Sequence, residues 1–407
     1  MHQLLAVVGY FAILGLAALM SRDRRAIKPR VVLWGVALQW ICALLLLKMP
    51  GGNEVLQAAA GAVQGVLDHS FAGSGFVYGE LGKVRGGASG LGIIFAFQVL
   101  PTILFVATLF GVLYYLGVMQ LIVRVMARVM VKIFGVSGAE ALVVAASIFM
   151  GQSEAPLTIR PYLVRLTESE LFCVIVAGMA SVSGAILGAY VMIGGVQMEH
   201  LLTVVAMTAP VSLVLAKMIV PETQKPETAG VVSAAPVDGS VNVLDAAANG
   251  ASDGLKLAVN VGAMLIAFIA LVSLLNAALG ILSFGGEALT LQRILGWVCS
   301  PIALLMGIPW EEAQTVGSIL GTRTVVNEIV AYQQLAQMKT VLSERSVAIA
   351  TFAVCGFANL GSIGIQIGGL GALVPERKSD IARMGLLALV AATLANFTSA
   401  CIAGALL

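Results

Sequence analysis

Residues 135–168 read GVSGAEALVVAASIFMGQSEAPLTIRPYLVRLTE, and neither a loop nor a simple transmembrane helix accommodates them. The stretch is too apolar for a surface loop. It is too polar for a span, with Glu154 at its centre and helix breakers Gly151 and Pro156 on either side. Non-helical backbone at membrane depth survives only where protein or a water-filled cavity surrounds it. The region from about 136 to 166 therefore reads as a re-entrant hairpin. A second stretch, about 309–342, has the same character, and GVSGAEA (135–141) lies over GIPWEEA (307–313) with Gly135 on Gly307 and Glu140 on Glu312. Glutamates recur at 140, 154 and 168 in the first region and at 312, 328 and 344 in the second. Glu168 and Glu344 each follow LT or LS, as helix starts often do.

The rest of the chain supplies ordinary spans around these hairpins. Of 407 residues 59% are hydrophobic and 11% charged, less than half the charged share of a soluble domain (about 25%). A net charge of +2 supplies no basic stripe for nucleic acid, and five cysteines without CxxC spacing build no disulfide framework. Charge-free runs at 3–21, 31–47, 86–123, 171–198, 257–286, 346–375 and 384–407, with 201–220 broken only by Lys217, give eight candidate spans. Lys217 is expected to snorkel to an interface. The first run reads as a retained helix, not a signal peptide, because its positive charges follow the apolar core.

Five basic residues against one acid in SRDRRAIKPR (21–30) place that loop in the cytoplasm and both termini outside. Segment 221–255 should then be inside too, although its acidic character lends no support; to about 240 it reads as a flexible linker. Arg124, Arg128 and Lys132 recur every four residues, which puts them on one face of an interfacial helix. On this topology the two hairpin units are inverted, a design of secondary transporters. The expected class is an all-α polytopic membrane protein with eight transmembrane helices and two re-entrant hairpins. Four blocks follow: 1–134, 135–220 (hairpin one, broken span four, span five), 221–306 (linker, span six, external interfacial helix) and 307–407 (hairpin two, broken span seven, span eight).

The chemistry concentrates at the hairpin tips and at two broken spans. SIFMGQSEAP (147–156) offers Gln152, Ser153 and Glu154, and GTRTVVNEIVAY (321–332) offers Asn327 and Glu328. Intramembrane carboxylates are costly and ordinarily line functional cavities; the competing readings pair Glu154 with Arg160 and Glu328 with Arg323. GFANLGSIGIQIGG (356–369) is glycine-rich, so span seven should break beside Asn359 and Ser362. SVSGAILG (181–188) is the corresponding place in span four. Carboxylates, amides and hydroxyls without a lysine or arginine at the first tip suit a neutral, hydroxyl-rich solute. An intramembrane hydrolase is disfavoured: Ser153 sits in Gly-Gln-Ser without the second glycine of a nucleophile elbow, and His2, His69 and His200 lie near span ends or loops.

With GQSEAP, NEIVAY and FANLGSIGI in order, the chain resembles the bacterial concentrative nucleoside transporters over nearly its whole length. The resemblance implies a homotrimer in the bacterial inner membrane, importing nucleosides by cation symport, with no organic cofactor or bound metal. It implies a transport domain (hairpins, spans four and seven) moving against a scaffold made mainly of spans one to three and six. Carried over residue by residue, it sets the nucleobase against Gln152, Ser153 and Glu154, with Ile186 lining the pocket. The ribose would meet Glu328, Asn359 and Ser362, with Phe357 nearby. Sodium-coupled relatives have an asparagine where this chain has Ser147; a sodium site here would use Ser147, Met150, Ser181 and Val182. Serine is the weaker hard-cation ligand, so proton coupling through Glu154 or Glu328 is favoured and sodium is the alternative.

Overall fold

The computed structural model describes residues 1–83, 93–231, 239–284 and 286–407. Among these, seven helical segments are long and apolar enough to cross a membrane. The chain opens with α1 (His2–Leu19) and α2 (Pro29–Leu47), followed by α3 (Pro50–Asp68) and α4 (Ser70–Tyr78). Sequence reading assigned no element to the last two. Next come α5 (Leu100–Tyr115), entered through a π-helical turn at Phe95–Val99, and α6 (Val118–Phe134). Span three is therefore shorter than the 86–123 run, part of which (86–92) lies outside the described residues. Gly117, at φ 77°, takes the left-handed turn that few other residues tolerate and separates α6 as the expected interfacial helix.

Hairpin one follows as α7 (Gly138–Ala146), a tip, and a 3-10 arm at Ala155–Arg165. Span four is broken into α8 (Glu168–Ala180) and α9 (Gly184–Gly194), and span five is α10 (Met198–Ile219). Span six, α11, runs from Val243 to Leu279, fourteen residues earlier than the apolar run beginning at 257. The charges that delimited the run do not stop the helix. Asn242 caps it by accepting from the Asp245 N–H at 2.9 Å, while Asp253 and Lys256 pair on its exposed surface at 3.0 Å. The helix ends at Leu279, and a two-stranded ribbon, β1 (Ser283–Phe284) with β2 (Glu287–Ala288), replaces the expected apolar tail.

The last quarter repeats the second. α12 (Leu291–Leu305) is amphipathic like α6, and α13 (Trp310–Val325) with α14 (Glu328–Met338) forms hairpin two. Span seven breaks into α15 (Glu344–Val354) and α16 (Leu360–Leu373), and α17 (Lys378–Leu406) closes the chain. The superposed glycines behave alike: Gly135 has φ 69° and Gly307 φ 85°, each turning an amphipathic helix into a hairpin arm.

Burial separates the helices into two groups. Most residues of α8, α9, α10 and α17 are buried, whereas few residues of α11 are. The central body is thus built from spans four, five and eight. α1 packs on α17 and α2 on α10. A buried polar chain joins them: Tyr10 Oη donates to Gln39 at 3.0 Å, and Gln39 Nε2 donates to Ser399 at 3.1 Å and Thr398 at 3.3 Å. Outside this body α11 lies along α5 at very close range. A Cβ placed on Gly254 would stand 2.9 Å from the Leu104 Cα, and one on Gly250 2.8 Å from the Ala107 carbonyl oxygen. This is small-residue packing of the kind that lets membrane helices touch backbone to backbone.

Candidate functional site

Six half-helices of the inverted units start with a side-chain cap, whereas α13 starts at Pro309 and the 3-10 arm at Glu154 without one; the caps help the chain to interrupt its helices at depth. Ser137 and Glu140 form a capping box on α7, and Thr167 with Glu170 does the same for α8. Ser183 caps α9, Asn327 α14, Ser343 α15 and Asn359 α16, each accepting from a backbone N–H of the first turn. The caps satisfy donors that would otherwise be stranded in an apolar medium.

The breaks are then knitted together. The N–H of Gly184 donates to the Phe149 carbonyl at 3.1 Å, setting the tip of hairpin one against the break in span four. The Phe357 N–H donates to the Ser181 carbonyl at 3.1 Å, joining the two broken spans to each other. Asn396 of α17 donates through Nδ2 to the Ala180 carbonyl at 2.9 Å and accepts at Oδ1 from Arg323, which also donates to Thr393 at 3.0 Å.

Four of the expected site residues form one continuous polar chain. Glu328, 3% exposed, accepts from Asn359 Nδ2 at 3.0 Å. Asn359 Oδ1 accepts from the Ser362 N–H at 3.0 Å, and Ser362 Oγ receives Gln152 Nε2 at 3.3 Å. Hairpin two, span seven and hairpin one are therefore linked in that order. Ser153 lies against α16, where a Cβ on Gly369 would lie 2.8 Å from its hydroxyl. Ile186 is buried near the start of α9.

Glu154 takes a different position. Its carboxylate accepts from the Gly151 N–H at 3.2 Å and lines a cavity of about 180 Å³ with Met150, Ser183, Tyr114, Asn249 and Asp253. Neither alternative ion pair forms among the described residues: Arg160 does not reach Glu154, and Arg323 turns to Thr393 and Asn396 instead of Glu328.

The four residues of the would-be cation site sit at the junction of the first tip and the span four break. Ser147 is 1% exposed and its hydroxyl donates to the Val143 carbonyl at 2.8 Å. The Ser181 carbonyl is taken by the Phe357 N–H, and Met150 and Val182 are both buried.

Two neighbours of this network escaped the sequence reading. Tyr190 Oη donates to Glu328 at 3.1 Å, and Gln366 Nε2 donates to Gln152 at 3.3 Å. Gln366 carried the same signal as Asn359, an amide in an apolar, glycine-rich span. Tyr190 lies one turn beyond Ile186, and a buried tyrosine ordinarily finds a partner for its hydroxyl. Lys217 does not snorkel. It is 7% exposed and forms an ion pair with Glu140, a bond to Ser169 at 2.9 Å and a contact with Glu222 at 3.4 Å. The two carboxylates neutralise it where it stands, which removes the need to reach water.

Three family models match the chain: "Na+ dependent nucleoside transporter N-terminus" over 8–81, "Nucleoside recognition" over 96–197, and "Na+ dependent nucleoside transporter C-terminus" over 200–404. An uncharacterized transporter, YutK, of Bacillus subtilis is 44% identical over 99% of both chains. The nucleoside permease NupC of Helicobacter pylori is 40% identical over 99% of this chain and 97% of its own. The structure of CNTnw in an inward-facing substrate-bound state superposes with a TM-score of 0.94 at 41% identity, covering 100% of this chain and 98% of that one.

Proposed function

The chain belongs to the concentrative nucleoside transporter family and is a multi-pass membrane transporter, not an enzyme; on that premise we propose that it imports nucleosides by proton symport. The observation that carries the substrate reading is the polar chain Glu328–Asn359–Ser362–Gln152, because it joins both hairpins and a broken span through one carboxyl group, two amides and a hydroxyl. A nucleoside is neutral and presents hydroxyls and ring amides. It would exchange bonds with this chain one for one: ribose hydroxyls with Glu328, Asn359 and Ser362, and the base with Gln152, Ser153 and Glu154 beside Ile186 and Phe357.

Proton coupling rests on Ser147 and on the two carboxylates. The hydroxyl that would have to bind sodium is short, and its proton already points at the Val143 carbonyl. Glu154 or Glu328 would carry the proton. Sodium remains the second reading, favoured by the description of the matching family models.

The movement we propose is an elevator. The hydrogen bonds from Tyr10 through Gln39 to α17 support moving spans one and two with the central body, in place of the scaffold role that sequence resemblance gave them. α5 and α11, packed on each other through glycine, would then form the frame. A homotrimer in the bacterial inner membrane with both termini outside completes the reading. A thermal-shift panel of uridine, adenosine, uracil and ribose tests the substrate. Stabilisation by nucleosides and not by uracil or ribose is expected, and stabilisation by uracil alone would contradict it.

A further inference from the structure

The cavity in front of Glu154 has a second wall that belongs to neither hairpin nor broken span. Tyr114 stands at the end of α5, and Asn249 and Asp253 are four apart on α11, hence on one face of that helix. Their positions are rigidly coupled, because Gly111 and Gly250 bring the two backbones together: a Cβ on either would meet the other helix at 2.8 Å. Tyr114 is 8% exposed, and its hydroxyl has no hydrogen-bond partner among the described residues. An unpartnered buried hydroxyl is uncommon and marks a group awaiting a ligand or water. Asp253 is exposed and paired to Lys256 at 3.0 Å, and Asn249 Nδ2 donates to Ser240 at 3.1 Å, leaving its carbonyl oxygen outside that bond.

We infer that Tyr114, Asn249 and Asp253 form a subsite on the frame for the transported solute, engaged only while the tip of hairpin one stands against α5 and α11. Its chemistry, one donor hydroxyl with amide and carboxylate acceptors lining the same cavity, takes a neutral group bearing both acceptors and donors, such as the hydroxyl- or amino-bearing edge of a nucleoside. The inference rests on the nucleoside reading and on the division into frame and moving body. Since the tip leaves the frame in the opposite state, the subsite adds affinity on one face of the membrane only. A contact made in one state alone biases the equilibrium between states by its own differential strength.

The test is labelled uridine exchange in oriented proteoliposomes, with the substrate concentration for half-maximal rate measured separately from each face. The variants are Tyr114→Phe and Asp253→Asn. Tyr114→Phe removes only an unpaired hydroxyl, so folding should be untouched. One lost hydrogen bond predicts roughly a fivefold rise from the face onto which the cavity opens and less than a twofold change from the other. Equal changes on both faces, or none on either with an active parent, would overturn the subsite. A parent inert towards uridine would instead overturn the nucleoside reading and the subsite with it.

Discussion

Asn359 donates to Glu328 across 3.0 Å, tying the helix start of hairpin two to the break in span seven. The two residues are 31 apart in the chain, and each sits at the first turn of a half-helix, Asn359 as a cap and Glu328 as the first residue. A carboxylate at this depth is tolerable because Tyr190 and Asn359 both donate to it. A solute hydroxyl competing for Glu328 therefore acts at once on the hairpin and on the broken span.

Glu328→Gln should retain the fold and lose driven accumulation. The amide keeps the shape but offers one acceptor where the carboxylate serves two donors. Uptake of labelled uridine against a gradient should fall at least tenfold, while the protein elutes as the parent does in size-exclusion chromatography. Accumulation at the parental level would remove Glu328 from the mechanism.

Lys217→Met should destabilise the protein by roughly 3 kcal/mol, the range for removing one partner of a buried ion pair. Glu140 would be left 1% exposed and without its cation. Adding Glu140→Gln should recover part of the loss, since an amide tolerates the site better than an unpaired charge. Detergent-melt midpoints of the two variants against the parent decide it, and equal midpoints for single and double variants would contradict it.

Arg323→Leu should cost roughly 2–4 kcal/mol by stranding Asn396 and Thr393 in the interior. Because Asn396 also holds the Ala180 carbonyl, the variant should loosen the break in span four. Faster backbone hydrogen exchange at 180–184 is the expected sign. Unchanged exchange there would show that the arginine acts on hairpin two alone.

Ser147→Asn should introduce sodium stimulation of uptake. An amide oxygen is the better hard-cation ligand, and Ser147 precedes the tip that Gly184 of the span four break binds through the Phe149 carbonyl. Uptake assayed with and without sodium at fixed pH checks this. Indifference to sodium in the variant would argue that the site is not built for a cation.

Much of this architecture is written locally. Gly135 and Gly307, the glutamates that open α8 and α15, and the breakers around Gln152 each announce their conformation through short-range rules of capping and turn formation, so the hairpins and breaks were legible. The beginning of α11 was not, because charges on an exposed helix surface look like the end of a span when hydropathy is read alone. α3 escaped for a related reason: its apolar residues are spread too thinly to register as a run. At the site, residues with polar atoms in apolar stretches were legible as candidates, but pairings such as Tyr190 with Glu328 depend on packing between segments 138 residues apart. The destination of Lys217 was equally hidden, since only the fold brings Glu140 and Ser169 to it.

The most direct test of the central claim is uptake of labelled uridine into proteoliposomes under an imposed pH gradient or an imposed sodium gradient, each alone. Accumulation with the pH gradient alone is the predicted result. Accumulation with sodium alone would contradict proton coupling and place a sodium ion at Ser147, and no accumulation in either arm by folded, inserted protein would contradict nucleoside symport itself.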